Sequence, residues 1–488
     1  MLAIFSFAAY TIMPKPVKWL EYELYDLSSK LADIKTLSDT AVFSPVIIEI
    51  TSDKAEPEKI SFEDTEKITE ILSAKENAPA VMAFYAPIAI SEPASENLIL
   101  IKNKYQELKN KKKIKETGND FLQIINGLQA EDKTEKNLKK NLKGSKYVLP
   151  IKFNTGIPTG KLIEMPEWIS KHSIKAEQGA TLASAKEEGV SFIAQSGSFT
   201  AKAAGTGHIN YFFERDGILR FETPFIAYGN KLYPSIALET ARIMLGLSSE
   251  EIKFYPGKKI ILGNKTVPLL SNSELPIKFI SENIQTFSSK EILSGMLAPE
   301  TFKDKIVIFA SASQSKIRTA NGLRPYFISI ASALNTLMSD SFITRPAWTY
   351  NLELCLILAA GIFTAFVSLM PSWLFHALAA TMFIAVFAGA AYMFCAYGIW
   401  IKASIPALAL AEGYAFGIMK RFFVRYELKQ NKIKYSSKPP PLPPVAMRQA
   451  YMKKNAVAKT VPAVKEAAGS NVIKKPYVSA ETCAEHRK

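Results

Sequence analysis

Cysteine and histidine are scarce in this chain, and their scarcity narrows what it can do. Three cysteines in 488 residues cannot build the disulfide framework of a small secreted scaffold. Cys355 and Cys395 lie in or beside hydrophobic runs and Cys483 lies near the end, so everything before Cys355 is cysteine-free. Of the four histidines, His376 falls in a hydrophobic run and His486 in the tail, leaving only His172 and His208 upstream. With no cysteine beside them, no zinc-ligand set of the usual spacing exists, and no metal is expected. Phosphate-binding glycine motifs are missing as well. There is no Walker A loop, and Gly205-Thr206-Gly207 is a fragment of a dinucleotide fingerprint that opens no helix. No G-x-S-x-G elbow accompanies His208. The chain therefore reads as a non-enzyme, with no catalytic residues and no cofactor.

Acidic residues are short in one region only. The formal charge is +15, and residues 420–488 hold 16 Lys/Arg against 4 Asp/Glu, a balance of +12. The rest is nearly neutral overall. A nucleic-acid-binding domain would carry a basic face on its folded part, so nucleic acid is not an expected partner.

Long hydrophobic runs are what the chain does have. Residues 352–370, 373–394 and 403–419 are nearly free of polar side chains, and the first two have the roughly 20-residue length that crosses ~30 Å of hydrocarbon. Lys420, Arg421 and Arg425 follow at once, the flank that marks a cytoplasmic side. Three crossings would place residues 20–346 outside and the tail 420–488 inside, at a bacterial plasma membrane. The opening segment 1–19 begins with the apolar stretch Met1–Met13, which spans only ~20 Å as a helix. It reads as an export or anchor element, either a transmembrane helix with a clipped start or a short helix widened by snorkelling lysines, with a buried core helix as the alternative. The lipid bilayer is thus the first expected partner.

Between these ends, short β-branched runs alternate with helical stretches, which predicts one α/β domain. Strands are expected at Val46–Ile50, Ala80–Tyr85, Tyr147–Ile151, Lys259–Leu262, Ile277–Ile280 and Lys305–Ala310. Helices are expected at Glu63–Ala74, Pro234–Gly246, Ser288–Leu293 and Ile328–Leu337. The Asp-Gly within Glu214–Gly217 predicts a hairpin joining His208–Phe213 to Leu219–Thr223. Residues 95–145 are Lys/Glu-rich and read as a solvated helical insertion. The tail, with its polyproline-prone run Pro439–Pro444, reads as largely disordered.

Carboxylates at element edges are the ligand-binding candidates: Glu49, Asp53 and Glu239, with Glu300 a fourth edge acid. Glu412 is a different case. An ionisable side chain inside a hydrophobic run is costly, by ~2–3 kcal/mol on insertion scales, and points either to function or to a neutral Glu capping helix–helix packing beside Gly413. Glu412, Lys420, Arg421 and Arg425 are the membrane-coupling candidates.

Several segments resemble one family. Glu291-Ile-Leu-Ser-Gly-Met-Leu-Ala-Pro-Glu-Thr-Phe-Lys-Asp-Lys-Ile-Val-Ile-Phe309 is similar to the approach to the last strand of type 2 CHASE domains (CHASE2), extracellular sensors attached to cyclases and histidine kinases. Ala333-Leu-Asn-Thr-Leu337 and Phe342-Ile-Thr-Arg-Pro346 resemble that family's exit into the membrane. Asp216-Gly-Ile-Leu-Arg220, Tyr233-Pro-Ser-Ile-Ala-Leu-Glu239, Leu24-Tyr-Asp26 and Val46–Ile50 resemble earlier family elements. The resemblance implies a sensor domain over 20–346 followed by a three-helix membrane unit, and an extracytoplasmic ligand. Departures accompany it: no tryptophan closely follows Thr51-Ser-Asp53, the acidic position of the second strand is Tyr85, Ala310-Ser311 replaces Gly-Ala, and Ser313–Gly322 lacks an expected Asp.

Only 69 residues follow Met419, fewer than a catalytic output domain needs to pack. The leading expectation is a membrane-bound sensor that signals through a cytoplasmic effector in trans. A truncated cyclase or kinase remnant and a structural envelope protein are the rivals, and pairing with a second copy stays open.

Overall fold

The computed structural model describes residues 15–36, 43, 45–52, 59–89, 134–157, 162–174, 185–195, 198–280, 284–295, 297–436 and 445–457. Met1–Met13, Asp53, most of the 95–145 insertion and the Pro439–Pro444 run lie outside these residues. Two compact units divide the chain, Met1–Ile418 and Met419–Lys488.

In chain order, the strands are β1 (Val46–Ile50), β2 (Val81–Phe84), β3 (Tyr147–Thr155), β4 (Glu187–Ala194), β5 (Gly205–His208), β6 (Phe221–Glu222), β7 (Phe225–Tyr228) and β8 (Lys231–Pro234). Then come β9 (Ile252–Tyr255), β10 (Lys259–Leu262), β11 (Lys265–Pro268), β12 (Leu275–Pro276), β13 (Thr286–Ser288), β14 (Ile306–Ser311), β15 (Lys316–Thr319) and β16 (Gly322–Pro325). The main helices are α1 (Lys15–Thr36), α2 (Phe62–Ser73), α3 (Ile236–Met244), α4 (Ser289–Leu293), α5 (Ile328–Met338), α6 (Trp348–Val367), α7 (Ser372–Tyr397), α8 (Ser404–Ser436) and α9 (Val445–Val457).

The principal sheet runs β13-β1-β14-β2-β3-β4-β7-β8, with β5 also paired to β3. Its β13-β1-β14-β2-β3 portion is parallel throughout. Strands covered on both faces read as continuous apolar runs, and β1 and β14 do so. Ile47, Ile306 and Ile308 pack on one face with α3 and α5. Val46, Ile48, Ile50, Val307 and Phe309 pack on the other with Ile68 and Leu72 of α2. Local signals set the helix starts. The Ser61 side chain accepts from Asp64 N, Ser235 from Leu238 N, and Ser288 forms a capping box with Glu291. Gly246 ends the α3 region at φ +70°.

Two expectations fail locally. Glu214–Gly217 does turn, with Gly217 N donating to Glu214 O at 2.8 Å, but no hairpin surrounds it. Gly205–His208 pairs with β3, Leu219 bridges Thr319, and Phe221–Glu222 pairs with Leu275–Pro276. Long-range partners displaced the local one. The expected strand at Ile277–Ile280 is likewise absent. Lys278 N and Ile280 N donate to the Thr336 and Ser332 hydroxyls of α5, both at 3.1 Å, so helix side chains satisfy the backbone that a neighbouring strand would have satisfied.

Two helices among the described residues are long and apolar enough to cross a membrane. These are α6 (mean hydropathy 1.8) and α7 (2.0), with only 28% and 11% of their apolar windows buried within the protein. A core helix of a soluble domain would be mostly covered. The expected third run forms the first part of α8, a 33-residue helix that continues through the basic stretch to Ser436. Its Ile405, Ala409 and Leu410 pack on Ile357 and Ala360 of α6, with Val17 of α1 against the same cluster. Gly413 lies against Thr364, and a Cβ on Gly417 would meet the Phe375 ring at 2.7 Å. Tyr414 stacks on Phe375 and its hydroxyl meets His376 Nδ1 at 2.8 Å. Gly361 and Gly389, by contrast, have nothing within 4 Å of where a Cβ would stand. In the second unit, Val445–Val457 is helical, where the composition predicted little order.

Candidate functional site

Two groups of residues stand out, one at the strand ends and one where the body meets α7 and α8.

The first follows from the parallel sheet. Ligands of open α/β sheets bind beyond the carboxyl ends of the strands. Here those ends carry hydroxyls. Ser52 Oγ meets Ser311 Oγ at 2.6 Å and also contacts Ser313 Oγ. Thr51 Oγ1 meets Ser289 Oγ at 3.1 Å. Ser311 N donates to Tyr326 Oη at 3.0 Å, and the Tyr326 ring stacks on Tyr85 at 5.1 Å, nearly coplanar at 6°. Ser329 gives its one proton to Tyr326 O at 2.7 Å, so in the 3.0 Å contact with Tyr85 the tyrosine is the donor. Tyr211 stands edge-on to Tyr85. Burial, then the Glu291 charge, pushes the half-buried Glu49 carboxyl up from its usual range. The patch can offer neutral hydrogen bonds and one carboxylate.

The second group is a seam between α1, the body and the ends of α7 and α8. Arg220, buried before β6, donates through Nε and Nη2 to the two carboxylate oxygens of Asp26 on α1, both at 2.7 Å, and pairs with Asp216 at 2.8 Å. Tyr25 stands edge-on to Phe394 and Trp400. Glu21, 1% exposed, accepts from Trp400 Nε1 at 2.8 Å and from Ser404 N at 3.1 Å. Arg345 Nη2 and Lys402 N both donate to Glu353, at 2.6 and 2.8 Å. Thr344 exchanges backbone bonds with Gly398 and Trp400 at 2.7 and 2.9 Å. Gly398 has φ +63°, and a Cβ there would stand 2.6 Å from Phe342 O, so only glycine fits.

One connection joins the two groups. The segment leaving the strand ends at Ser311 forms the β15–β16 hairpin before returning at Tyr326. At its turn, Asn321 Oδ1 accepts from Ser29 of α1 at 2.9 Å, and Ala320 packs in the cluster of Tyr25, Phe221, Phe394 and Trp400.

Of the sequence candidates, Glu49 sits at the strand-end patch and Asp53 lies outside the described residues. Glu239 is elsewhere. It is fully buried, held by Arg242 Nε and Nη2 at 2.9 and 2.7 Å, with His172 Nδ1 at 3.9 Å and Gly205 packed against it. Glu412 is half-buried on α8; Lys420 and Arg425 are exposed on the same helix and Arg421 is half-buried. Sequence reasoning missed Glu21, Glu353 and the Asp26–Arg220 pair. Glu353 carried a signal: it is a carboxylate inside a hydrophobic run, eight residues after Arg345. Among the described residues no three His, Cys, Asp or Glu side chains gather closely enough to hold a metal ion.

An α/β body whose helix α1 packs against two helices long and apolar enough to cross a membrane suggests a membrane protein. A family model described as the CHASE2 domain matches residues 2–367, three quarters of the chain and inclusive of α6. The chain belongs to the CHASE2 family, a family of sensor domains. No curated protein and no solved structure matches it.

Proposed function

We propose that the chain is a membrane-bound signal-transduction sensor. Its α/β body faces the extracytoplasmic side, α6, α7 and the first part of α8 cross the bilayer as three packed helices, and the basic stretch after Met419 lies in the cytoplasm. The strand-end hydroxyl patch takes the ligand, a small molecule recognised by neutral hydrogen bonds. The observation that carries this reading is the β15–β16 hairpin, rooted at Ser311 and Tyr326 and touching α1 at Asn321. A ligand that prefers one position of this hairpin shifts the seam, and so the outer ends of the spans. Membrane placement is supported by the exposed aromatics. Trp348, Tyr350, Tyr392 and Tyr397 stand at the body end of α6 and α7, and Trp373 at the other end, matching aromatic belts at the two interfaces. The short connections carry little charge, whereas α8 emerges into Lys420, Arg421 and Arg425. Glu412, Lys420, Arg421 and Arg425 pass the change to a cytoplasmic partner, the basic groups also meeting anionic lipid at ~1 kcal/mol each. No catalytic role is assigned to the body.

Full-length protein with its native cysteines replaced by serine, carrying Ile157→Cys or Lys429→Cys, tests the topology. In intact cells a membrane-impermeant maleimide labels the first and reaches the second only after permeabilisation. The reverse pattern overturns the reading.

A further inference from the structure

We propose that this sensor reads the acidity of its own compartment at the seam, where proton binding at Glu21 sets whether α1 stays docked on the start of α8. The inference rests on the sensor reading and adds a second input, separate from the ligand at the strand ends.

Glu21 is positioned for this. Both carboxylate oxygens are used, one by the Trp400 indole and one by Ser404 N, the first residue of α8. Neither donor is charged. The charged groups facing this place are Lys402 from the α7–α8 connection, and around it Arg345, Glu353 and Lys18. Lys18 is itself held to Glu214 of the body at 3.2 Å. One helical turn on, α1 carries Tyr25 between Phe221, Phe394 and Trp400, while Val17 lies against the α6–α8 cluster. Undocking α1 therefore uncovers the outer ends of α7 and α8 together.

Burial pushes the Glu21 carboxyl up to about 6 from 4.5 and the Lys402 amine down to about 8 from 10.5. A docked carboxyl that holds its proton more tightly than one in water is favoured by acid. Docking through Glu21 therefore strengthens as pH falls through 6 toward 4.5, and stays at its weakest above 6. Lys402 acts from the other side, favouring docking as pH rises through 8. Docking is weakest between these two values. The Glu21 difference corresponds to about a thirty-fold change in the ratio of docked to released α1.

The full chain, labelled with 5-fluorotryptophan and held in phospholipid nanodiscs, supplies the test. Trp400→Phe identifies the Trp400 fluorine resonance among the five tryptophans. That resonance is expected to titrate as pH falls from 7.5 to 4, with a midpoint between 4.5 and 6 because the unprotonated form releases α1. Glu21→Gln, which keeps an acceptor for the indole without the charge, abolishes the titration. Lys402→Met moves the midpoint upward, because a nearby cation no longer favours the carboxylate. A flat Trp400 resonance, or a titration retained in Glu21→Gln, overturns the proposal. Should Glu21→Gln not fold, an unmoved or lowered midpoint in Lys402→Met does so. Maleimide labelling decides the topology separately, so the titration can fail while the sensor reading stands.

Discussion

Arg220 and Asp26 grip each other through two parallel 2.7 Å bonds although 194 positions separate them in the chain. The guanidinium also lies 4.4 Å from the Tyr22 ring centroid, so one buried arginine fixes α1 by charge, hydrogen bonds and ring contact together. Both residues belong to segments that resemble the family, and their contact closes the seam.

Removing one partner of this pair is expected to destabilise strongly. Arg220→Met leaves Asp26 and Asp216 near each other without their cation, at a cost of ~3–5 kcal/mol. The double variant Asp26→Leu/Arg220→Met is expected to recover much of that loss, since only the half-buried Asp216 is then left without its cation. Thermal unfolding of the detergent-solubilised protein measures both. Equal losses in the single and double variants would contradict the account.

Tyr326 and Tyr85 differ in what their hydroxyls support. Tyr326→Phe strands the buried Ser311 N–H and is expected to cost ~1–3 kcal/mol. Tyr85→Phe removes a donor from Ser329, which still bonds Tyr326 O, and is expected to cost ~1 kcal/mol. Denaturant midpoints of the two variants give the order.

Glycine positions separate contact from open surface in the apolar helices. Gly413→Leu forces bulk into Thr364 and is expected to cost ~1–3 kcal/mol. Gly389→Leu, with nothing near its Cβ direction, is expected to leave the melting temperature in detergent unchanged or slightly raised. A larger loss at Gly389 than at Gly413 would mean that the helices pack through another face.

Glu222 gives the body its own pH dependence. Burial, partly offset by the Ser235 hydroxyl, pushes its carboxyl up to about 7 from 4.5. Holding it ionised costs the fold free energy above about pH 7, and the penalty fades as pH falls toward 4.5. Stability is therefore expected to rise on mild acidification, by ~3 kcal/mol from this group. In Glu222→Gln most of that rise disappears from the unfolding free energy measured against pH.

Much of the fold was legible in the chain because the signals were local and strong. The run Lys259–Leu262 forms its strand where expected and Gly246 ends the α3 region, but Pro234, expected in the first turn of that helix, closes β8 and leaves Ser235 as the cap. The misses have a common origin. Glu214–Gly217 turns as its Asp-Gly dictates, yet its flanks pair with β3, Thr319 and β12, none adjacent to the turn. Lys278 and Ile280 bond to helix hydroxyls that no strand pattern announces. Glu239 looked like an edge acid from its position and is a buried partner of Arg242.

By itself the sequence determined that this is an α/β domain followed by apolar helices and a basic stretch, since periodicity, hydropathy and charge are properties of neighbouring residues. Only the tertiary structure decided which charges matter. Asp26 with Arg220, Glu21 with Trp400 and Ser404, and Glu353 with Arg345 and Lys402 become pairs only when chain closure brings them together. A carboxylate's role depends on the donors and the dielectric around it, and those are set by residues far away in the chain.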